Sequence, residues 1–308
     1  MIAISRRTEK QSGPALGVKS GVAIGTNKEG EGVQAVRFVD PNGETRVGRL
    51  DDTIITDAGA ADAKGFLPTL AGWVAIETAE GPKYDRTEVK LLHPVHPGKI
   101  LAIGLNYRTH AEESGVKIPS VPVAFAIWPS SLIGDRAEIV IPREETRPDY
   151  EGELAVVIGQ PVYRADRDEA RAAVGGISAF NDVSGRRAQL ETPLKQYTLG
   201  KSFDTFSPMG PCIASANGVD LEDIDLRTTV SGEVMQDANT SDLIFSVVDL
   251  IVYLSAGVTL ELGDVIATGT PGGVGQSREP ERYLKGGDTV EVYIEGVGTL
   301  TNPVRAER

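Results

Sequence analysis

Between Asp149 and Ile158 the chain reads Asp-Tyr-Glu-Gly-Glu-Leu-Ala-Val-Val-Ile, with two carboxylates two residues apart at the mouth of a strongly β-forming run. Successive side chains in a strand alternate faces, so Glu151 and Glu153 share one face while Leu154, Val156 and Ile158 take the other. Two carboxylates held that close in a partly buried site need a proton or a cation to offset their repulsion. Oxygen ligands of this kind suit a hard divalent ion such as Mg²⁺, Mn²⁺ or Ca²⁺ rather than zinc. A bare Glu-x-Glu is more often the solvated face of an edge strand, so the reading depends on what else the chain supplies.

Composition removes several alternatives. The 308 residues, 40% of them apolar, suffice for one large domain plus a small one. A net charge of −13 excludes the clustered cations that nucleic-acid backbones require. Met1–Arg7 holds no apolar run of signal-sequence length, and no later stretch approaches the ~20 apolar residues of a membrane span, so the chain reads as soluble and cytoplasmic. Cys212 is the only cysteine, in a run that reads as a buried strand, which leaves no disulfide and no thiolate metal site.

The chain divides near residue 92. Upstream, Val33–Phe38 and Thr45–Leu50 flank Asp40-Pro-Asn-Gly43 and predict a hairpin in a small N-terminal β-rich domain, residues 1–92. His93-Pro-Val-His96-Pro-Gly98 reads as a linker, and the two prolines forbid the regular element that would aim both imidazoles at one ion. Residues 93–308 form the second domain. There the pattern predicts a helix over 166–174 stopped by Gly175-Gly176, a strand over 177–180 ending at Asn181-Asp182, and a helix over about 242–255. A strand over 262–268 and a half-buried one around Val290, Val292 and Ile294 complete it. Strands outnumber helices without regular βαβ alternation, so the expected fold class is α+β, mainly β, with a curled mixed sheet.

The glycine-rich run Gly269-Thr-Pro-Gly-Gly-Val-Gly275 matches neither nucleotide-loop pattern. Its backbone N–H groups and the Thr270 hydroxyl can instead receive a substrate carboxylate, unless the run is an ordinary turn. His110 and Glu113 lie three apart, on one face of a helical turn, where a carboxylate can fix the imidazole tautomer and make a general base. Asn181-Asp182-Val-Ser184, Gly200-Lys201-Ser-Phe-Asp204 and Met235-Gln-Asp-Ala-Asn239 are further polar segments of a kind that cores seldom tolerate.

Taken in order, these segments resemble the fumarylacetoacetate hydrolase family over about residues 98–305. The matching motifs are Gly-x-Asn-Tyr-x-x-His, Asp-Tyr-Glu-x-Glu-Leu, Asn-Asp-Val-Ser, Gly-Lys-Ser-Phe-Asp, Met-Gln-x-x-Asn-Thr-x-x-Leu-Ile-Phe and Gly-Thr-Pro-x-Gly-Val-Gly. The resemblance implies a mixed β-roll, usually in a homodimer, with Mg²⁺ or Mn²⁺ on Glu151, Glu153 and Asp182. It also implies that His110 and Glu113 activate water and that Lys201 supports the reaction. Substrate contacts fall by the same matching to Asn106, Tyr107, Arg186, Gln189, Gly269 and Thr270.

The chemistry so implied runs on a 2-oxo acid chelated by the metal, whose enolate is stabilised when the bond beyond C3 breaks. Hydrolysis of the C–C bond of an acylpyruvate-type 2,4-diketo acid, as in aromatic-compound catabolism, is the first expectation. Decarboxylation of an oxaloacetate-type acid or isomerisation of a 2-hydroxyhepta-2,4-diene-1,7-dioate-type acid is the alternative, and a non-catalytic metal and ligand binder is the third. Two departures from the family pattern point to an uncommon substrate. Ala126-Ile127-Trp128 stands where relatives often carry a lysine, and Arg187 replaces an acid. Arg187 either binds a substrate carboxylate or is a solvated surface charge.

Overall fold

Every residue of the strand Gly152–Ile158 is buried. The computed structural model, which describes residues 32–308, explains this by position: the strand pairs antiparallel with Val174–Asn181 on one side and Val265–Ala267 on the other. Both faces are covered. Leu154, Val156 and Ile158 pack in one apolar cluster with Val290, Val292 and Ile294, while Ala155 and Val157 pack in another with Phe180 and Trp73. The solvated-edge alternative for Glu151 and Glu153 is therefore excluded.

This strand lies inside a 12-stranded sheet whose main path runs Lys83–Asp85, Ile54–Ala60, Thr45–Asp51, Gln34–Val39, Ser207–Ser215, Val174–Asn181, Gly152–Ile158, Val265–Ala267, Ile100–Gly104, Val123–Ile127. A five-stranded sheet of Glu233–Asn239, Asp225–Val230, Thr289–Ile294, Gly298–Ala306 and Ile139–Ile141 covers one face. Most pairings are antiparallel, but Val265–Ala267 runs parallel to Ile100–Gly104, so the sheet is mixed and the class is α+β, mainly β, as expected. Among the described residues no helix is long and apolar enough to cross a membrane. The leader reading at Met1–Arg7 lies outside the described residues.

The predicted hairpin forms from Gln34–Val39 and Thr45–Asp51. At its tip Asp40 Oδ1 accepts from the N–H groups of Asn42 and Glu44, and Gly43 takes φ +85°, a conformation other residues resist. The sheet crosses the residue-92 boundary, because Gln34 and Ala35 pair with Ala214 and Ile213. In the intervening segment His93 Nδ1 donates to Val95 O at 2.8 Å, so that ring is spent on the linker's own backbone.

Three element boundaries differ from the sequence reading. Gly175 and Gly176 do not stop a helix; they belong to the strand Val174–Asn181. A Cβ on Gly175 would come 2.5 Å from Gly159 Cα, so the glycines are there to let backbones approach. The later helix spans Val247–Ser255 rather than starting at 242, because Ser246 and Asp249 form a capping box and residues 243–245 are held extended against Asn106 and Tyr107. The strand expected over 262–268 is Val265–Ala267, since Gly263 turns at φ +84° just before it.

Candidate active site

Gly152–Ile158 and Val174–Asn181 deliver their carboxylates to one point because of their register. Gly152 pairs with Asn181, so Glu151 and Asp182 face each other where the two strands end. Asp182 N–H donates to Glu151 O at 2.8 Å, and Glu151 N–H donates to Asn181 Oδ1 at 3.1 Å. Glu153, two residues on, reaches the same side and accepts from Gly269 N–H at 2.9 Å. Ligand oxygens of Glu151, Glu153 and Asp182 all lie within 4.8 Å of one another, and all three residues are buried.

Two cations meet this cluster. Lys201 Nζ lies 2.6 Å from Glu151 Oε2 and 2.7 Å from Asp182 Oδ2. It arrives at the end of the short helix Tyr197–Lys201, its ammonium 5.7 Å from the centre of the Phe125 ring. Arg186 Nη2 lies 2.7 Å from Glu151 Oε1, and its Nε and Nη2 donate to Asp149 Oδ2 at 2.9 and 2.8 Å. Asp149 is locked from its other side by the N–H groups of Gly275 and Gln276, at 2.7 and 3.1 Å. Asp149 opens the acidic motif, yet nothing in its local spacing distinguishes it from a strand-start residue.

Electrostatics separate the three carboxylates. Burial opposes ionisation of Glu151, but Lys201 and Arg186 outweigh it and hold its pKa at about 2. Asp182 is pushed up to about 6, first by burial and then by Glu151, with Lys201 pulling the other way. Glu153 rises well above the ordinary carboxylate range through burial and the charges of Asp182 and Glu151. Burial opposes the charge on Lys201, but Asp182 and Glu151 prevail and keep it protonated.

A divalent ion fits these residues on three counts. Four buried carboxylates (Asp149, Glu151, Glu153, Asp182) share two buried cations (Arg186, Lys201), which leaves a deficit of two positive charges when all are ionised. Asp182 Oδ1 is buried with no hydrogen-bond partner, an acceptor of the kind a cation satisfies. Finally, the donor set is all oxygen, as Mg²⁺ or Mn²⁺ prefers.

A cavity of about 610 Å³ adjoins the cluster through Glu151, and its lining includes Arg186, Gln189, Lys201, Thr270, His110 and Glu113. The helix Arg108–Glu113 brings the last pair together as expected, with His110 Nδ1 2.7 Å from Glu113 Oε1. Glu113 Oε2 accepts from Gly273 N–H at 2.7 Å, and Thr109 is tied to Asp242 through its N–H and hydroxyl. A carboxylate on Nδ1–H leaves Nε2 as the basic nitrogen.

Other residues expected at the substrate have different surroundings. Asn106 is fully buried behind the wall, its amide spent on the carbonyls of Thr268 and Phe245 and the N–H of Phe245. Tyr107 is likewise buried; burial raises its hydroxyl's pKa, with Glu153 adding to the effect, and the oxygen has no partner. Gly269 spends its N–H on Glu153. The Thr270 hydroxyl lines the cavity but is committed, donating to Gly152 O at 3.0 Å and accepting from Gln236 Nε2 at 2.7 Å. Gln236 in turn accepts from Gly152 N–H, so Gln236 and Thr270 together clasp the acidic strand, a role sequence spacing did not assign. Arg187 is the solvated charge of the two alternatives: half-exposed, it donates to Glu144 O and lies 3.9 Å from Glu191.

Comparisons with known proteins bear on the family and the fold. The family model "Fumarylacetoacetate (FAA) hydrolase C-terminal" matches residues 99–305. The mitochondrial oxaloacetate tautomerase FAHD2A of Homo sapiens is 41% identical over 228 residues, 73% of either chain. The solved 5-carboxymethyl-2-hydroxymuconate delta-isomerase of Mycobacterium smegmatis superposes with a TM-score of 0.74 at 33% identity, covering 89% of this chain and all of its own. A solved fumarylacetoacetate hydrolase of Exiguobacterium antarcticum gives 0.75 at 34% identity over the same shares.

Proposed function

The chain belongs to the fumarylacetoacetate hydrolase family, and from that footing we propose a divalent-metal-dependent enzyme that moves a proton at C3 of a small 2-oxo acid, interconverting keto and enol or isomeric forms. The observation that carries the reading is that one cavity is lined both by Glu151, a member of the acidic cluster, and by the paired His110 and Glu113. Mg²⁺ or Mn²⁺ held by Glu151, Glu153 and Asp182 would supply Lewis acidity, drawing electrons from C3 of a bound 2-oxo acid.

The chain's own residues do the rest. His110 Nε2 takes the C3 proton and returns it, while Glu113 holds Nδ1–H and offsets the charge that the imidazole gains. Gly273 N–H holds the far oxygen of Glu113, which fixes the carboxylate's orientation toward His110. Lys201 and Arg186 keep Glu151 ionised and oriented. Relatives named as a tautomerase and an isomerase perform reactions that need only this proton transfer.

C–C hydrolysis of a 2,4-diketo acid is the second reading, favoured by the structural relative named a hydrolase. It uses the same residues, with His110 deprotonating a water rather than carbon. Purified protein with Mg²⁺ and freshly dissolved enol-oxaloacetate should speed the decay of enol absorbance without releasing CO₂. CO₂ release in step with that decay would make it a decarboxylase. Consumption of an acylpyruvate with stoichiometric formation of pyruvate would establish the second reading, and inertness toward both compounds would refute both. We also propose a homodimer: the edge strand Val123–Ile127 and its surroundings leave Val116, Val121, Val123 and Trp128 about half exposed. Light scattering should give twice the chain mass.

A further inference from the structure

The glycine-rich run over 269–275 is tied to two neighbours at once. Toward the helix Arg108–Glu113, Gly272 N–H donates to Thr109 Oγ1 at 3.3 Å and Gly273 N–H donates to Glu113 Oε2 at 2.7 Å. Toward the acidic motif, the Tyr150 hydroxyl donates to Gly273 O at 3.1 Å. One glycine therefore joins the residue next to Glu151 to the carboxylate that holds His110. Tyr150 is fully buried, and its hydroxyl also accepts from Arg278 Nε at 3.1 Å. The same guanidinium donates through Nη2 to the carbonyls of Val234 and Met235, at 3.3 and 3.2 Å. Met235 O in turn backs Gly273, which holds φ +99° and where a Cβ would come 2.2 Å from that oxygen. Arg278 thus gathers the groups that fix Gly273, although neither Arg278 nor Tyr150 lines the cavity.

We infer that Tyr150 and Arg278 are positioning residues for the His110–Glu113 pair, acting through Gly273. The inference rests on His110 as the base of the reaction proposed above and names what orients it. Glu113 keeps 23% of its side-chain surface exposed, so water competes for its oxygens. A carboxylate held at one oxygen by a fixed N–H has only the other to offer, and that one meets His110 Nδ1. If the carboxylate turned away, the ring could move its proton to Nε2, and a protonated Nε2 accepts nothing. The acidic motif then serves both parts of the site, with Glu151 and Glu153 in the triad and Tyr150 behind the base.

Tyr150→Phe tests this, because it removes the hydroxyl and keeps the buried ring. The chain has three histidines, so ¹⁵N NMR of the imidazoles at about pH 8 reads each tautomer separately. His93, whose Nδ1 donates to Val95 O, is the internal control. Wild type should show His110 as the Nδ1–H form. Tyr150→Phe, Arg278→Met and Glu113→Ala should each turn it into a mixture of tautomers and leave His93 unchanged. With Mg²⁺ and enol-oxaloacetate, Tyr150→Phe should lower kcat about tenfold and change KM by less than about twofold, the lower end for a partner that orients a working side chain. Since the hydroxyl acts through Glu113, Tyr150→Phe combined with Glu113→Ala should be no slower than Glu113→Ala alone. A wild-type His110 pattern in Tyr150→Phe, or losses in kcat that add in the double variant, would overturn the assignment. A mixed His110 tautomer in Tyr150→Phe, in a protein that turns over no 2-oxo acid, would sink the proposed reaction and leave the positioning role standing.

Discussion

The floor of the cavity and its rim are built by opposite means. On the floor, Glu151, Glu153, Asp182, Arg186 and Lys201 are all buried, their backbones set by strand register or by short helices packed on those strands. Asp182 Oδ1 is buried there without a hydrogen-bond partner, an acceptor that a cation would satisfy. At the rim, Ser114, Val116 and Lys195 are exposed, as is Leu194 next to Lys195 in the chain, all on connections without regular structure. A floor whose geometry is over-determined can hold an ion in one arrangement; a rim with spare groups can change what it recognises without disturbing the ion. Under the proposed reaction, metal and proton chemistry would fall to the floor and the choice of acid to the rim.

Substitutions can break that division. The largest effect should come from removing a floor carboxylate: Glu151→Gln or Asp182→Asn should lower Mg²⁺ affinity at least about 100-fold by calorimetry, since each removes one of the three ligand groups. His110→Ala lies on the boundary between the regions. It should keep Mg²⁺ affinity and lose about 10³-fold in kcat, within the usual range for a general base. Equal metal affinity in all three variants would show that the triad is not the ion's site.

Arg186→Met tests the floor as structure. It strips the bidentate partner from Asp149 and a contact from Glu151, leaving buried carboxylates uncompensated. Unfolding by urea should show a loss of about 3–5 kcal/mol, the cost of breaking a buried pair from one side. Mg²⁺ should restore part of it, because an ion that binds only the folded chain stabilises by mass action. A loss under about 1 kcal/mol would mean that the floor relaxes as freely as the rim.

This division also accounts for what the sequence made legible. Glu151, Glu153 and Asp182 could be read because strand alternation and ordered motifs fix side-chain direction from spacing alone, and His110 with Glu113 because three residues is a helical interval. Thr270 and Asn106 are polar in the right segments, but spacing does not reveal which partner a hydroxyl or amide takes; Gln236 and Thr268 claim them from 34 and 162 residues away. The same holds for Gly175 and Gly176, whose meaning depends on how closely Gly159 packs against them. The rim was least legible. Arg187 and Lys195 lie eight residues apart in one polar stretch, and only the turn between two short helices decides which faces the cavity.

The smallest expected effect bears hardest on the comparison. Leu194 is 80% exposed beside Lys195, whereas Gly152 is buried where a Cβ would come 2.0 Å from Thr228 Oγ1. Leu194→Ser removes little buried area and should shift stability by less than about 0.5 kcal/mol, leaving Mg²⁺ affinity unchanged. Gly152→Ala adds one methyl group and should cost about 1–3 kcal/mol, because Thr228 or the acidic strand must move to admit it. The displaced strand carries Glu151 and Glu153, so Mg²⁺ affinity should fall along with stability. A Leu194→Ser variant that loses metal affinity would mean that rim and floor are one mechanical unit, and the separation of ion site from substrate choice would fail with it.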